Sequence, residues 1–416
     1  MGAFRGLWLG VLLMPLAAFA QDVFENVTNF SQTRSTSREP TVALVGAHVF
    51  TAWIDMRTGY GDVYFRQSSN RGQSFGAAQN LSDSHPTRAS DVRVARVEGH
   101  VYVVWAEEGI RFRVSHDSGE TFGPIQVLSE RGREPHLVAS GGNVYVAWSG
   151  QDGGLFLRSS RDSGDTFVPS IALSEQAKDG DLDLAADGAS VHAVWDDGSQ
   201  VFLRRSLDEG RSFAPTQVLD EGSAPSEDAR LALMGAGVFV VWREGSGCDS
   251  EIVFRRSNTR GESFEPILNL SQNSVASLDP LLKVSDPYVY VLWKEKVAGQ
   301  TDIFFTRSVN LGGTFEAPRN LSQTPGKSSQ YALSFSGGVV RIVWRDRSAG
   351  GGDIFYRSSA DRGATFGPIQ NLSQSPGKST SPVIISSGKA AEVHVLWEED
   401  LPGNRESFYR RGVLGP

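Results

Sequence analysis

Seven copies of one short motif, Ser-x-Asp/Asn-x-Gly-x-Ser/Thr-Phe, recur along the chain and leave few architectures open to it. They read SSNRGQSF (68–75), SHDSGETF (115–122), SRDSGDTF (160–167), SLDEGRSF (206–213), SNTRGESF (257–264), SVNLGGTF (308–315) and SADRGATF (359–366). Their glycines lie 45 to 51 residues apart, with strand-like sequence between, which is the pattern of a radial array of β-sheets. The motif reads as a turn. The acid or amide accepts hydrogen bonds from backbone N–H groups, and the glycine supplies a residue at positive φ. The hydroxyls add local bonds, and the Phe opens the next strand and enters the core. Thr259 replaces Asp or Asn in the fifth copy, so that turn is expected to be the weakest.

A second repeated element, an alternating strand ending in Trp, lies between the turns: HVFTAW (48–53), HVYVVW (100–105), NVYVAW (143–148). There are eight such tryptophans: Trp53, Trp105, Trp148, Trp195, Trp242, Trp293, Trp344 and Trp397. An apolar strand precedes each, and a strand such as DIFYRSS (353–359) and then the turn follow. Period-2 alternation with β-branched residues predicts strands throughout, and no amphipathic helix is seen. Each unit is therefore a four-stranded antiparallel blade, strands A to D, with the repeated turn between C and D. The last unit stops after its C strand (407–411), while ENVTNFSQT (25–33) resembles a D strand. The expected fold is an all-β, eight-bladed propeller of residues 21–416, closed by the N-terminal strand pairing into the last blade. Seven blades plus a stray unit is the alternative.

The repeated turn resembles the Asp-box of the sialidase-like (BNR-repeat) propellers, and the likeness covers nearly all of the chain after residue 20. It is specific for fold and weak for activity, because this turn stabilises blades in proteins of unrelated roles. Sialidases of that family carry a Phe/Tyr-Arg-Ile-Pro segment, an arginine triad for the substrate carboxylate, a Tyr/Glu nucleophile pair and an acid/base Asp. Here no Arg-Ile-Pro occurs; Arg38-Glu39-Pro40 and Arg133-Glu134-Pro135 stand nearest.

Residues 1–20, MGAFRGLWLGVLLMPLAAFA, read as a signal peptide cut after Ala20, which implies a secreted or periplasmic protein. No other segment is long and apolar enough to span a bilayer. Without Arg5 the formal net charge passes from −8 to −9, which argues against a nucleic-acid partner. Cys248, in the loop GSGCDS, is the only cysteine, so burial rather than a disulfide must hold the domain. Sequons such as Asn371-Leu372-Ser373 recur at one strand position and read as strand-end chemistry.

A residue present in every blade builds blades, whereas a single site needs residues that break the repeat. An acid stands two places after the Trp in seven units (Asp55, Glu107, Asp197, Glu244, Glu295, Asp346, Glu399), and strand C repeats an Arg (Arg66, Arg113, Arg158, Arg204, Arg255, Arg357). Ion pairs setting blade register are the expectation for both. No histidine spacing suggests a metal tetrad.

Fourteen residues before each Trp stand Glu39, Asp91, Glu134, Asp181, Asp228 and Asp279, then Gln330 and, after a two-residue insertion, Ser381. Strand A is innermost in a propeller, so these side chains should ring the channel mouth on the face opposite the repeated turns. Converging carboxylates raise some pKa values or recruit a cation, with Ca2+ the candidate and no other cofactor implied. Alternatively, each accepts backbone N–H bonds from a neighbouring loop. Three features break the repeat at this mouth: Tyr331, the cations Arg243, Lys294 and Arg345 just after their tryptophans, and Arg38 and Arg133 before ring acids. They could form a basic quadrant suited to an anionic or sugar ligand.

Two functions follow. The favoured one is a secreted, non-catalytic propeller that binds a glycan, envelope component or protein partner through its loop-rich face. The alternative, implied by the sialidase resemblance, is an exo-sialidase-like glycosidase. In it Arg38, Arg133 and Arg345 clamp a carboxylate, and Tyr331 attacks with Glu134 as its base.

Overall fold

A computed structural model describes residues 21–415, apart from 84–85, 176–180, 223, 298, 349 and 389–391. Residues 1–20, which read in sequence as a signal peptide, lie outside the described residues. The chain forms eight antiparallel blades in a ring. In blade 1, strands A to D are Ser37–Val45, His48–Asp55, Asp62–Ser68 and Gln79–Asn80. Blades 2 to 7 span 90–129, 133–174, 182–218, 226–269, 277–320 and 328–371. Blade 8 takes its A, B and C strands from Lys378–Ser386, Glu392–Leu401 and Asn404–Leu414. Among the described residues, the helical content is one short 3-10 turn, Gly247–Asp249, which carries the exposed Cys248.

The N-terminal segment closes the ring, as the D-strand likeness of residues 25–33 predicts, but it does so in two pieces. Asp22–Phe24 pairs with the end of blade 8's C strand (Asp22 opposite Leu414), and Thr28–Asn29 pairs farther along it (Thr28 opposite Tyr409). Phe30 then packs edge-on against Trp53 of blade 1, 5.1 Å between ring centroids, so one segment joins the last blade to the first.

Each tryptophan packs against the blade before its own. Trp105 of blade 2 shares a core with Phe65 and Ile54 of blade 1, and Trp148 of blade 3 with Phe112 and Ile110 of blade 2. All eight indoles are buried. The Phe of the repeated turn also reaches backward instead of starting strand D: Phe122 meets Phe65 and Phe167 meets Phe112, each at 4.9 Å between centroids. Edge-to-face aromatic pairs of this kind add to area burial, so the interfaces between wedges hold the domain together.

The turn works as its sequence implies. In the second copy the Ser115 hydroxyl accepts from Gly119 N–H at 2.7 Å, and the Asp117 carboxylate accepts from Thr121 N–H at 2.8 Å and its hydroxyl at 2.6 Å. These donors hold the Asp117 carboxyl down at about 2. Thr259 keeps one part of this pattern, accepting from Ser263 N–H at 3.0 Å.

The two recurring charge sets do not pair with each other as expected. Four of the Trp+2 acids accept indole N–H bonds, among them Asp55 from Trp53 at 3.0 Å, and Glu107 from Trp105 and Glu295 from Trp293 at 2.7 Å, whereas the Trp242 and Trp344 indoles have no partner among the described residues. Strand C arginines donate to backbone carbonyls of the preceding blade, as Arg357 does to Leu321 at 2.9 Å and Arg113 to Leu81 at 3.0 Å. A guanidinium satisfies a strand-end carbonyl and a carboxylate satisfies an indole, so neither needs the other. The Asn371 amide likewise donates to Asp353 at 2.7 Å, a strand-end role.

Candidate functional site at the channel mouth

Two backbone contacts fix the two faces of the ring. Arg71 N–H bonds Ala47 C=O, joining the C–D turn to the A–B turn; Ala89 N–H bonds Gly61 C=O, joining the D–A loop to the B–C loop. The start of strand A therefore opens on the face opposite the repeated turns, where the ring of acids was placed.

The ring exists, but its backbone is unusual. Glu39, Asp91, Glu134, Asp228, Asp279, Gln330 and Ser381 all have φ between 48° and 61°, the left-handed region, and the strand A–B register shifts at each. Each is a bulge in strand A at the channel mouth. Glu is a poor predictor of that conformation, so the bulge is not visible from residue type.

Several ring side chains tie one blade to the next. Glu398 accepts from Glu39 N–H at 2.8 Å, Glu39 from Asp91 N–H at 2.6 Å, and Gln330 from Ser381 N–H at 3.3 Å. Burial raises the Glu39 carboxyl despite that bond. Others meet cations: Asp181 pairs with Arg230 at 2.9 Å, Glu134 with Arg133 at 3.2 Å, and Arg38 lies 3.6 Å from Glu39. Among the described residues, no group of three or more carboxylates, histidines or cysteines is arranged to hold a metal ion.

The expected basic quadrant is largely neutralised. Arg243 pairs with Asp228 at 3.1 Å and with Glu227, and Lys294 pairs with Asp279. In blade 7, where Gln330 replaces the ring acid, Arg345 instead turns into the protein and donates to Ser379 C=O at 3.0 Å. The residue after Trp faces the ring position of its own blade, which is why Arg243 and Lys294 each meet an acid there. In blade 4 that partner is Asp196 facing Asp181. Burial first, then the Asp181 charge, pushes the Asp196 carboxyl up to about 6, and its Oδ2 has no hydrogen-bond partner.

A cavity of about 770 Å³ opens inside the ring along the A strands of blades 3 to 7. Its polar lining is Asp183, Arg230, Asp279, Lys283, Lys294, Ser329, Gln330 and Tyr331. The Asp183 carboxylate accepts from Leu231 N–H at 2.9 Å, and burial raises its pKa. Lys283 is exposed to the channel and makes no hydrogen bond or ion pair among the described residues. His136 stands on the neighbouring A strand, where burial and then Arg93 and Arg230 lower it to about 4, so it is neutral at pH 7. Sequence reasoning missed Asp183, Arg230 and Lys283. They lie on strand A, deeper in the channel than the ring position; Asp183 and Lys283 recur in no other blade, and Arg230 has one counterpart, Arg93 of blade 2.

The residues assigned to an enzyme are dispersed. Tyr331, in blade 7, lines the cavity and donates its hydroxyl to Asp279 C=O. Glu134, its supposed base, stands in blade 3, four blades away in a ring of eight. Glu134, Arg38, Arg133 and Arg345 are absent from the cavity lining. Burial, then the Asp279 charge, raises the Tyr331 phenol well above its usual range, the opposite of activation. What the lining offers is a set of donors and acceptors around one aromatic edge.

No family model matches the chain, and no curated protein does. Solved structures match its shape. An ulvan lyase of a polysaccharide lyase family, bound to -[GlcA(1-4)Rha3S]-, is 9% identical with a TM-score of 0.55, over 92% of this chain and 95% of that one. Polysaccharide lyase Uly1 is 9% identical with a TM-score of 0.52, over 90% of this chain and 89% of its own. A prolyl endopeptidase is 10% identical with a TM-score of 0.51, over 88% of this chain and 54% of its own. At such identities the likeness is one of fold, the β-propeller, and polysaccharide-acting propellers are among the proteins that share it.

Proposed function

We propose that the protein is an exported, non-catalytic binding propeller whose repeated turns are Asp-boxes and whose channel mouth takes a glycan. The observation that carries this reading is the polar cavity inside the ring, with Lys283, Arg230, Asp183, Gln330 and Tyr331 on its walls. Sugar hydroxyls need both donors and acceptors within reach, and a flat aromatic edge suits a pyranose face. The fold shared with polysaccharide lyases is compatible with such a ligand, and the separation of Tyr331 from Glu134 favours binding over hydrolysis.

The test pairs two measurements. Oligosaccharide binding on a glycan array should be weakened about tenfold or more by Lys283→Ala, the loss of about 1.4 kcal/mol expected for one charge-assisted hydrogen bond. Fluorogenic sialosides should not be turned over. Hydrolysis that disappears in Tyr331→Phe would instead establish the glycosidase reading.

A further inference from the structure

The face that holds the channel mouth is electrically divided. On the loops of blades 2 to 5, the exposed charges include Glu108, Glu130, Asp152, Glu175, Glu221 and Asp249, with Arg131 against them. On the loops and strand ends of blades 6, 7, 8 and 1 the exposed charges are Arg34, Arg57, Lys296, Lys327, Arg347 and Lys378. Beside them Asp83 and Asp279 are exposed acids, and Glu39, Asp400 and Glu406 are half-exposed. This arc stands out on a chain whose formal net charge is −8.

The arc is built into the repeat. Pro325-Gly326-Lys327 and Pro376-Gly377-Lys378 occupy equivalent D–A connections of successive blades, 51 residues apart, so the lysines recur with the blade spacing. Lys296 and Arg347 stand three places after Trp293 and Trp344, on the B–C sides of blades 6 and 7. Arg34, Lys296, Lys327 and Arg347 have no side-chain hydrogen bond or ion pair among the described residues. Arg57 pairs with Asp55 at 2.8 Å and Lys378 lies 4.0 Å from Asp400; carboxylates beneath are engaged too, Asp346 by Ser328 at 2.7 Å and Glu399 by Trp397 at 3.1 Å. A ligand nearing this side meets cations first.

The exposed large apolar side chains, Val23, Val27, Ile125, Val127, Leu207, Val218, Leu268 and Val309, lie on the N-terminal segment, the repeated turns or the outer D strands. Protein interfaces and membrane insertion both draw on apolar or aromatic anchors, and this face presents no fully exposed large apolar side chain among its described residues. A hydrated polyanion needs no such anchor.

We propose that the arc over blades 6, 7, 8 and 1 is a binding track for a linear anionic polysaccharide, one end of which reaches the channel cavity. The acidic blades 2 to 5 repel such a chain and so fix the side from which it enters. The inference deepens the glycan-binding reading and rests on it for the cavity end; the track has its own residues and its own test.

Oligogalacturonates of two and eight residues serve as probes, with neutral dextran as the control, measured by calorimetry at low and at physiological salt. The eight-residue chain should bind at least about tenfold more tightly than the dimer, through several cationic contacts made at once. That advantage should shrink as salt is raised. In Lys327→Glu/Lys378→Glu, with melting unchanged, the length advantage should vanish while dimer affinity stays. Lys283→Ala should weaken the dimer and leave the length advantage in place, so failure at the cavity and failure of the track are read separately. Equal affinity for both lengths overturns the proposal, as does an unaffected double variant. Phosphatidylglycerol vesicles that bind more tightly than the octamer and displace it also overturn it, assigning the arc to a membrane surface.

Discussion

The Arg341 guanidinium forks onto the Asp22 carboxylate across 319 residues of chain, Nη2 to Oδ1 at 2.8 Å and Nε to Oδ2 at 3.0 Å, with neither side chain exposed. The Tyr356 hydroxyl donates to the same carboxylate. Asp22 belongs to the segment that completes blade 8, whereas Arg341 and Tyr356 belong to blade 7, so the latch reaches past the blade it closes.

Removing the carboxylate strands a buried cation. Asp22→Ala should cost about 3–5 kcal/mol, the range for breaking a buried pair by deleting one partner, and Asp22→Asn less because it still accepts a hydrogen bond. Urea unfolding reads the difference. A variant within about 0.5 kcal/mol of the wild type would show that closure rests on strand pairing and Phe30 alone.

The fifth repeated turn can be improved. Thr259 offers one oxygen to Ser263 N–H and hydroxyl, at 3.0 and 3.1 Å, where Asp117 offers two to Thr121. Thr259→Asp should add about 0.5–1 kcal/mol at pH 7, a modest figure because the turn is exposed. The matching carboxyls of Asp117 and Asp162 are lowered to about 2. A depressed carboxyl stabilises above its unfolded value, near 4, and loses that contribution as pH falls through its folded value. The gain should therefore be full at pH 7 and gone by about pH 2; a gain unchanged in acid would assign it to packing.

Two buried histidines make the fold acid-sensitive. Burial lowers His192 to about 4 and His394 to about 3. His192 Nε2 donates to Arg260 C=O at 3.1 Å, and His394 Nδ1 meets the Tyr409 hydroxyl at 2.7 Å. Between about pH 6.5 and 4 the unfolded chain binds these protons and the folded chain does not, so stability falls on acidification. His192→Gln, which keeps a donor, should flatten that slope and recover about 2–3 kcal/mol relative to the wild type at pH 4. An unchanged slope would place the acid sensitivity elsewhere.

Sequence legibility differs between frame and site for a physical reason. Blade-building residues recur, so Trp53 and its seven equivalents, together with the Ser-x-Asp turns, count the blades and locate the mouth. The Asp22–Phe24 strand escaped because three residues beside a leader-like segment carry no repeat. The ring position was found by counting, yet its left-handed bulge was hidden, since Glu39 and Glu134 are unremarkable strand-edge residues in one dimension. Arg243 and Lys294 looked like a free basic patch because their partners, Asp228 and Asp279, lie fifteen residues earlier and meet them through strand pairing. Asp183 and Lys283 are unique to their blades and Arg230 recurs only as Arg93, and nothing in one sequence separates such residues from ordinary variation until strand A is seen to line a cavity.

Asp196 provides the sharpest test of the mouth's electrostatics. Its carboxyl is 3% exposed, accepts from Gly198 N–H at 3.3 Å through Oδ1, and faces Asp181. With a folded value near 6 against about 4 unfolded, the folded state holds a proton that the unfolded state has released between those values. Stability from this group is therefore full below about pH 4 and lost as pH rises through 6, so above pH 6 the fold carries a buried, uncompensated charge. Asp196→Asn keeps the acceptor, removes the charge and offers Asp181 a donor. The variant should be more stable than the wild type by about 2 kcal/mol at pH 8, with the gap closing by pH 4, as read from denaturant midpoints at both pH values. A gain equal at pH 8 and pH 4 would mean that shape rather than charge limits this corner, and a loss at pH 8 would mean that the carboxylate has a cationic partner at the mouth.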